Sequence, residues 1–228
     1  MYELFIANKN YSSWSLRPWV LMRELGIPFA ETLIPLGHVP GWMSVDDISP
    51  SGRVPCLKDG KVLVWDSLAI VEYLAERHAN VWPADATERA WARCAAAEMH
   101  SGFFALREIC SMSCGIRARL NEMPAPLASE LKRLNALWLD GLQRFGGPFL
   151  AEPRFTAVDA FFAPVAFREQ SYGLQLDPAA MQYVARLLAL KPMQEWYAAA
   201  LQEPWRYAEY ETWKHGTMTE DRRVPQSA

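Results

Sequence analysis

The order of short apolar runs in the first 78 residues restricts the possible folds of this chain most strongly. Residues 2–7 and 29–34 are typical of strands, and residues 15–25 between them have the spacing of a helix that ends at Gly26. A strand, a helix and a second strand predict a parallel strand pair joined by a crossover.

A hairpin is predicted next, because Asp59-Gly60 is a strong signal for a tight turn between antiparallel strands. The turn separates two apolar runs, residues 54–57 and 61–65, and a helical pattern follows over residues 67–78. Together these elements predict a small α/β domain with a mixed four-stranded sheet in residues 1–79.

The sequence changes in character after residues 80–86, which we interpret as a linker. Residues 87–120 are rich in Ala, Arg, Glu and Leu and lack the alternation typical of strands. The fold class is therefore predicted to be α/β plus all-α, with residues 87–228 forming an all-helical bundle domain whose last ten residues are frayed. The further helices predicted in this half lie at 126–145, after Thr156, at 177–190 and at 192–203.

Composition and motifs argue against several classes of function. The net charge is −3 and no basic face is evident, which argues against a nucleic-acid partner. The chain has no apolar stretch long enough for a membrane span and no signal-peptide pattern, so we expect a soluble cytoplasmic protein. The Gly-x-Ser-x-Gly motif of esterases and the glycine-rich loops that bind phosphate are also absent from the sequence.

The four cysteines are predicted to be buried free thiols. Cys56, Cys94, Cys110 and Cys114 form no Cys-x-x-Cys pair, and they have no metal-site spacing with the histidines. The spacing of Cys110 and Cys114 would place both on one face of a helix. Free thiols are typical of a reducing compartment, and we expect no metal.

Three serines, Ser12, Ser13 and Ser15, stand where the first strand gives way to the first helix. The first N–H groups of a helix have no intrahelical partner, and the helix dipole places partial positive charge there. Pro18 is expected in the first turn, where no N–H is required of it. Two interpretations are open: a serine cap of the helix, or a binding site for an anionic ligand atom.

Val54-Pro55 follows a Ser-Gly-Arg turn at the start of a predicted strand. A cis peptide bond here would present the N–H and C=O of Val54 to a peptide-like ligand. The dipeptide alone favours an ordinary trans proline, because only about 5% of X–Pro bonds are cis.

Asp66-Ser67 lies where the fourth predicted strand meets the next helix. In one interpretation Ser67 caps that helix. In the other, the helix N-terminus binds a carboxylate while Asp66 pairs with an ammonium group, so that the two hold the α-amino acid end of a ligand.

Thr156-Ala157-Val158-Asp159 has the pattern of a capping box, with Asp in the place usually taken by Glu. We interpret it as structural, and we expect its loss to impair folding more than chemistry.

Taken together, these features resemble the cytosolic glutathione transferase family. The motifs that carry the resemblance are Ser12-Ser13 and residues 52–57, 65–74 and 155–159, and it extends over about residues 2–205. Within the family the chain is most similar to the serine-type classes, with a zeta-like pattern in Ser12-Ser13-x-Ser15-x-Arg17. The resemblance implies a thioredoxin-like first domain, a homodimer, and glutathione as co-substrate.

The resemblance also implies roles for individual residues. Ser12 would hydrogen-bond the sulfur of glutathione and favour the thiolate, with Ser13, Ser15 and Tyr11 as competing candidates. The residues assigned to the rest of glutathione are Ser13 beside the sulfur, Val54 with a cis Pro55 at the cysteinyl unit, and Asp66 and Ser67 at the γ-glutamyl end. Arg53 is assigned to a ligand carboxylate, with an exposed turn residue as the alternative interpretation.

A second-substrate pocket is expected between the domains. Its candidate residues are Trp14, Met99, Phe103 and Arg107, with ordinary core packing as the alternative for the last three.

The main hypothesis is a transferase that adds glutathione to a small electrophile. The alternatives are a glutathione-dependent isomerase similar to maleylacetoacetate isomerase, and a non-catalytic binding protein of the same fold. The zeta pattern has a cysteine where this chain has Trp14 and a basic residue where it has Trp19.

Overall fold

The computed structural model of the protein describes residues 1–37, 41–211 and 215–225. Two groups of elements follow each other along the chain, first a sheet flanked by helices and then a set of packed helices. The elements are β1 (Tyr2–Ile6), α1 (Ser13–Glu24), β2 (Phe29–Leu33), β3 (Cys56–Asp59), β4 (Val62–Val64), α2 (Ser67–Ala75), α3 (Ala86–Ser101), α4 (Phe104–Ile109), β5 (Ile116–Leu120), α5 (Ala125–Phe145), α6 (Ala157–Tyr172), α7 (Pro178–Ala189), α8 (Lys191–Gln202), α9 (Ala208–Glu211) and β6 (Gly216–Asp221).

The first half contains the predicted mixed four-stranded sheet, with strand order β2-β1-β3-β4. β1 pairs in parallel with β2 and antiparallel with β3, and β3 pairs antiparallel with β4. Gly60 adopts a positive φ of 59° in the β3–β4 turn, a conformation that glycine adopts without a steric penalty. This arrangement is the thioredoxin-like fold that the resemblance implied.

Helix α6 is the central element of the second half. All but two of its residues, Glu169 and Gln170, are buried. Its N-terminus carries the predicted capping box: the Asp159 carboxylate accepts hydrogen bonds from the Thr156 backbone N–H at 2.9 Å and from the Thr156 hydroxyl at 3.3 Å. Asp159 also accepts bonds from the Leu150 N–H and the Tyr183 hydroxyl, so that one buried carboxylate joins three segments of the chain.

The prediction of an entirely helical second half is wrong in two places. β5 and β6 pair antiparallel as a separate two-stranded sheet. β5 does alternate, with Ile116 and Ala118 buried and the arginines between and after them more exposed, whereas every residue of β6 after Gly216 is exposed. Three of the last ten residues, 219–221, therefore lie in a strand, and residues 226–228 lie outside the described part.

The cysteines are free, as predicted, but Cys94 on α3 is exposed rather than buried. Cys110 and Cys114 do not share a helix face, because α4 ends at Ile109 and both lie in the segment that leads into β5. Residues 80–85 of the predicted linker lie between α2 and α3, whereas residue 86 begins α3, and the domain boundaries stay a prediction. Among the described residues, none of the helices combines the length and the apolar character required to cross a membrane.

Candidate functional site

A cavity of about 730 Å³ opens beside the N-terminus of α1. Its wall combines the loop before α1, the segments that precede and follow residues 38–40, the turn before β3, and parts of α4 and α6 with the segment after α4. Of the residues predicted from sequence, six line this cavity: Ser12, Ser13, Trp14, Arg53, Val54 and Arg107.

Ser12 is the N-cap of α1. Its Oγ accepts a hydrogen bond from the Ser15 N–H at 3.3 Å and donates one to the Ser15 Oγ at 2.8 Å. Ser15 is fully buried behind Ser12, and its Oγ also accepts the Ala7 N–H at 3.2 Å. The helix begins earlier than predicted, so Pro18 lies in its second turn rather than its first.

Tyr11, immediately before Ser12, is also part of the wall, but its hydroxyl already has partners. It donates to Glu211 and accepts from the Arg223 guanidinium at 2.8 Å. Burial and the bond to Glu211 raise the pKa of Tyr11. This hydroxyl is therefore poorly suited to stabilising a thiolate.

The loop before α1 is held by residues from the second half of the chain. The Glu203 carboxylate accepts the Lys9 N–H at 2.6 Å and the Asn10 N–H at 3.2 Å. Asn10 Oδ1 in turn accepts the Gly115 N–H at 2.9 Å. The position of Ser12 thus depends on contacts with segments far away in sequence.

The Val54–Pro55 peptide bond is cis, although the dipeptide alone favoured trans. Sheet pairing between β1 and β3 ends at Phe5 and Cys56, so the peptide groups of Val54 are not part of the sheet. Pro55 is buried outside the cavity wall, and Arg53 is exposed at the turn.

Asp66, not Ser67, caps helix α2: its Oδ1 accepts the Leu68 N–H at 2.9 Å. Ser67 is fully buried, and its Oγ accepts a bond from Arg17 at 3.4 Å. Neither residue lines the cavity itself. Asp66 lies 3.3 Å from His100, whose pKa is lowered by burial in spite of this carboxylate.

Trp14 is the centre of an aromatic and cationic group in the wall. Arg17 lies 4.2 Å and Arg107 4.9 Å from the centroid of its ring, distances typical of cation–π contacts. His100 meets the same ring edge-on at 5.2 Å. Both guanidinium groups therefore contact the ring of a residue two positions after Ser12.

Met99 and Phe103, two of the residues expected in a substrate pocket, do not line this cavity. Both are buried in the hydrophobic core, so core packing, the alternative interpretation, describes them. Sequence reasoning missed Arg168, Ser111, Met112 and Tyr210, which do line it. Among the residues that the structure describes, no group of three or more His, Cys, Asp or Glu side chains is placed to hold a metal ion.

Comparison with known sequences finds similarity over part of the first half of the chain. Residues 11–77 match the family model of the glutathione S-transferase N-terminal domain. The chain is 38% identical over 63 residues to the glutathione S-transferase-like protein gedE of Aspergillus terreus. That match spans 26% of this chain and 26% of the relative.

Comparison with solved structures extends over most of the chain. A glutathione transferase homologue from Burkholderia gl BGR1, solved with bound glutathione, is 23% identical, with a TM-score of 0.65 over 87% of this chain and 97% of that one. A theta-class glutathione S-transferase from Xanthomonas axonopodis pv. citri, also with glutathione bound, is 22% identical, with a TM-score of 0.61 over 85% and 95%. The chain therefore has the fold of glutathione transferases, and its residues 11–77 match their N-terminal domain.

Proposed function

We propose that the protein is a glutathione transferase in which the Ser12 hydroxyl stabilises the glutathione thiolate, which then adds to a small electrophile. The observation that carries the proposal is the position of Ser12, at the N-terminus of α1 and in the wall of a large cavity. The thiolate, rather than the thiol, is the nucleophile, so a group that favours the thiolate at this point would accelerate addition.

The hydrogen bond from Ser12 and the dipole of α1 are strong enough to lower the pKa of the glutathione thiol. A thiol has a pKa near 8.5, and lowering it by about two units requires roughly 2.7 kcal/mol of differential stabilisation. A hydrogen bond to a charged group contributes about 1.5–3 kcal/mol, and the helix dipole up to about 1 kcal/mol. The Ser12 hydroxyl and the N-terminus of α1 together are sufficient for this shift.

The Ser12 hydroxyl must change its partner to act in this way. It now donates to Ser15 Oγ, so the proton would rotate towards the sulfur as glutathione binds. Ser15 Oγ keeps the Ala7 N–H as a donor after that rotation. Ser12 is thus the candidate for the sulfur contact, with Ser13 beside it in the wall and Ser15 behind it as a support.

The remaining parts of glutathione are assigned by the chemistry of the nearby groups. The peptide groups of Val54, which lie beyond the sheet pairing and before the cis Pro55, are suited to the cysteinyl unit. Asp66 and Ser67 at the start of α2 are assigned to the γ-glutamyl end, and Arg53 to a carboxylate. A cytoplasmic location is part of the same proposal.

Calorimetric titration tests this function directly. We expect glutathione and its S-methyl form both to bind with micromolar to millimolar dissociation constants. Failure of both to bind would contradict the proposal and favour a non-catalytic protein of the same fold. Mass spectrometry of the products then separates transfer from isomerisation, because an isomerase releases glutathione unchanged.

A homodimer is also proposed, and β4 is the part of the surface that supports it. Val62, Leu63 and Trp65 are exposed apolar residues on or next to this edge strand, an arrangement typical of interaction surfaces. We expect light scattering to give twice the chain mass, and Leu63→Glu to give a single chain. Met218→Glu, at an exposed apolar residue of β6, is the matched control; a wild-type protein with the mass of one chain would contradict the proposal.

A further inference from the structure

The cavity wall carries an excess of positive charge. Arg53, Arg107 and Arg168 line it, and Asp46 is the one acidic residue among the described lining residues. Arg17 adds a further guanidinium against the ring of Trp14, itself part of the wall.

Arg168 is the most deeply buried of the three arginines that line the cavity, with 3% of its surface exposed. Its Nε donates to the Cys110 carbonyl at 2.8 Å, which leaves its two Nη groups without a hydrogen-bond partner among the described residues. No described carboxylate forms an ion pair with it. Burial and the charge of Arg107 lower the pKa of Arg168 to about 10, so the side chain is still protonated at neutral pH.

Arg107 is fixed but not neutralised. Its Nη groups donate to the backbone carbonyls of Met99 and His100, which carry no net charge. Glu130 is the carboxylate whose charge acts on Arg107, but the two form no ion pair. Its oxygens instead accept hydrogen bonds from the backbone N–H groups of Ala105 and Leu106.

Arg17 also lacks an ion-pair partner among the described residues. It is almost fully buried, its Nε has no partner, and its polar contact is the long bond to Ser67. Asp66 lies close enough to act on it electrostatically but pairs with His100. Unpaired buried charges are unfavourable. The buried Arg168 and the half-buried Arg107 both line the cavity without a carboxylate partner among the described residues, which indicates that a ligand supplies the missing anion.

We propose that the electrophile carries a carboxylate, which Arg107 and Arg168 bind in the cavity while Ser12 holds the sulfur of glutathione. This inference rests on the proposed function, because it names the substrate class of the same site. In the addition, the sulfur forms a bond to one carbon of an activated C=C group. The electron pair of that double bond moves to the neighbouring carbon, which takes a proton from solvent; no group leaves and the carboxylate is unchanged.

Two esters test the requirement for a carboxylate. Monomethyl fumarate and dimethyl fumarate contain the same reactive double bond, but only the first carries a charge. With each kcat/KM divided by the rate of the uncatalysed addition, we expect wild-type protein to favour the monoester by at least about tenfold. Equal values, or a preference for the diester, would overturn the proposal.

Substitutions of the arginines test which of them bind the carboxylate of the substrate. We expect Arg107→Met and Arg168→Met each to lower kcat/KM for the monoester by at least about tenfold, with the diester and the glutathione dissociation constant changed less than about threefold. Arg168→Lys keeps the charge and should retain more of the monoester reaction than Arg168→Met. If Arg168→Met does not fold, Arg107→Met remains the test of charge removal. Arg133→Met is the matched control, because Arg133 pairs with Glu98 on the surface and does not line the cavity.

Other outcomes point to other sources of the carboxylate. If the arginine variants weaken glutathione binding as much as they slow the monoester reaction, the anion belongs to glutathione and the proposal is wrong. Monomethyl succinate, the unreactive saturated analogue, separates this inference from the proposed function. Binding of this anion to wild type but not to Arg107→Met would support the anion site even if glutathione failed to bind, and equal binding to both would overturn it.

Discussion

Replacement of Ser12 by Ala is expected to lower turnover at least about tenfold, which corresponds to about 1.4 kcal/mol of transition-state stabilisation. The Ser12 Oγ is the hydroxyl at the N-cap of α1 in the cavity wall, and its loss removes the proposed donor to the sulfur. Glutathione affinity should change only a few-fold, because the remaining contacts of the peptide do not involve this oxygen.

The thiol pKa is the measurement that separates activation from binding. Titration of thiolate absorbance in the glutathione complex should give a pKa about one to two units higher in Ser12→Ala than in the wild type. Ser13→Ala and Tyr11→Phe are the matched controls, since both residues line the cavity and neither should move this pKa by the same amount. Unchanged turnover in Ser12→Ala would transfer the role to Ser13 or Ser15.

The second large effect is expected from Asp159→Ala, which should lower the free energy of unfolding by about 3–5 kcal/mol. The substitution leaves the buried donors of Thr156, Leu150 and Tyr183 without their shared acceptor. Thermal or urea denaturation checks the value. Asp85→Ala, which removes an exposed cap from α3, is the matched control and should cost much less.

The role of Asp159 is expected to be structural, so glutathione affinity per folded molecule should stay that of the wild type. Asp159→Asn keeps the size and one acceptor oxygen, and it serves if Asp159→Ala does not fold. A loss of turnover in fully folded, equally stable protein would contradict a structural role.

The ionisation of Asp159 also predicts a pH dependence. Burial raises the pKa of this carboxyl to about 6, although the bonds it accepts oppose the shift. A group whose pKa is raised on folding contributes its stabilisation below the unfolded value, about 3.9, and loses it as the pH rises through the folded value. The stability advantage of the wild type over Asp159→Asn should therefore decrease between about pH 4 and 6.

Local signals were sufficient for the first half of the fold. The Asp59-Gly60 turn fixed the β3–β4 hairpin, and Gly26, with a φ of 66°, marked the end of α1. Such features depend on residues adjacent in sequence, which is why they could be predicted. β6 had no such signal, since after Gly216 its side chains are exposed and its partner β5 lies about a hundred residues earlier.

The site was predictable only in part, for a related reason. Ser12 and Val54 lie in motifs that can be recognised locally, whereas Arg168 is a single arginine at the start of the polar run that ends a largely apolar helix. Arginine is rarely buried, and nothing in the sequence indicates that Arg168 meets the cavity beside Arg107. Ser67 was one possible cap for α2, and the structure instead has Asp66 in that position; the sequence does not distinguish them, because both types are good caps and stand side by side.

The contacts of the loop before α1 also have a consequence for biosynthesis. Tyr11 is bonded to Arg223, a sequence separation of 212 residues, and Lys9 and Asn10 are bonded to Glu203. A chain that leaves the ribosome N-terminus first can form its sheet early, because those pairings are local. The loop that carries Ser12 acquires its last supports only after residue 223 has emerged, so a nascent chain could pair the strands of this sheet long before that loop is fully held in place.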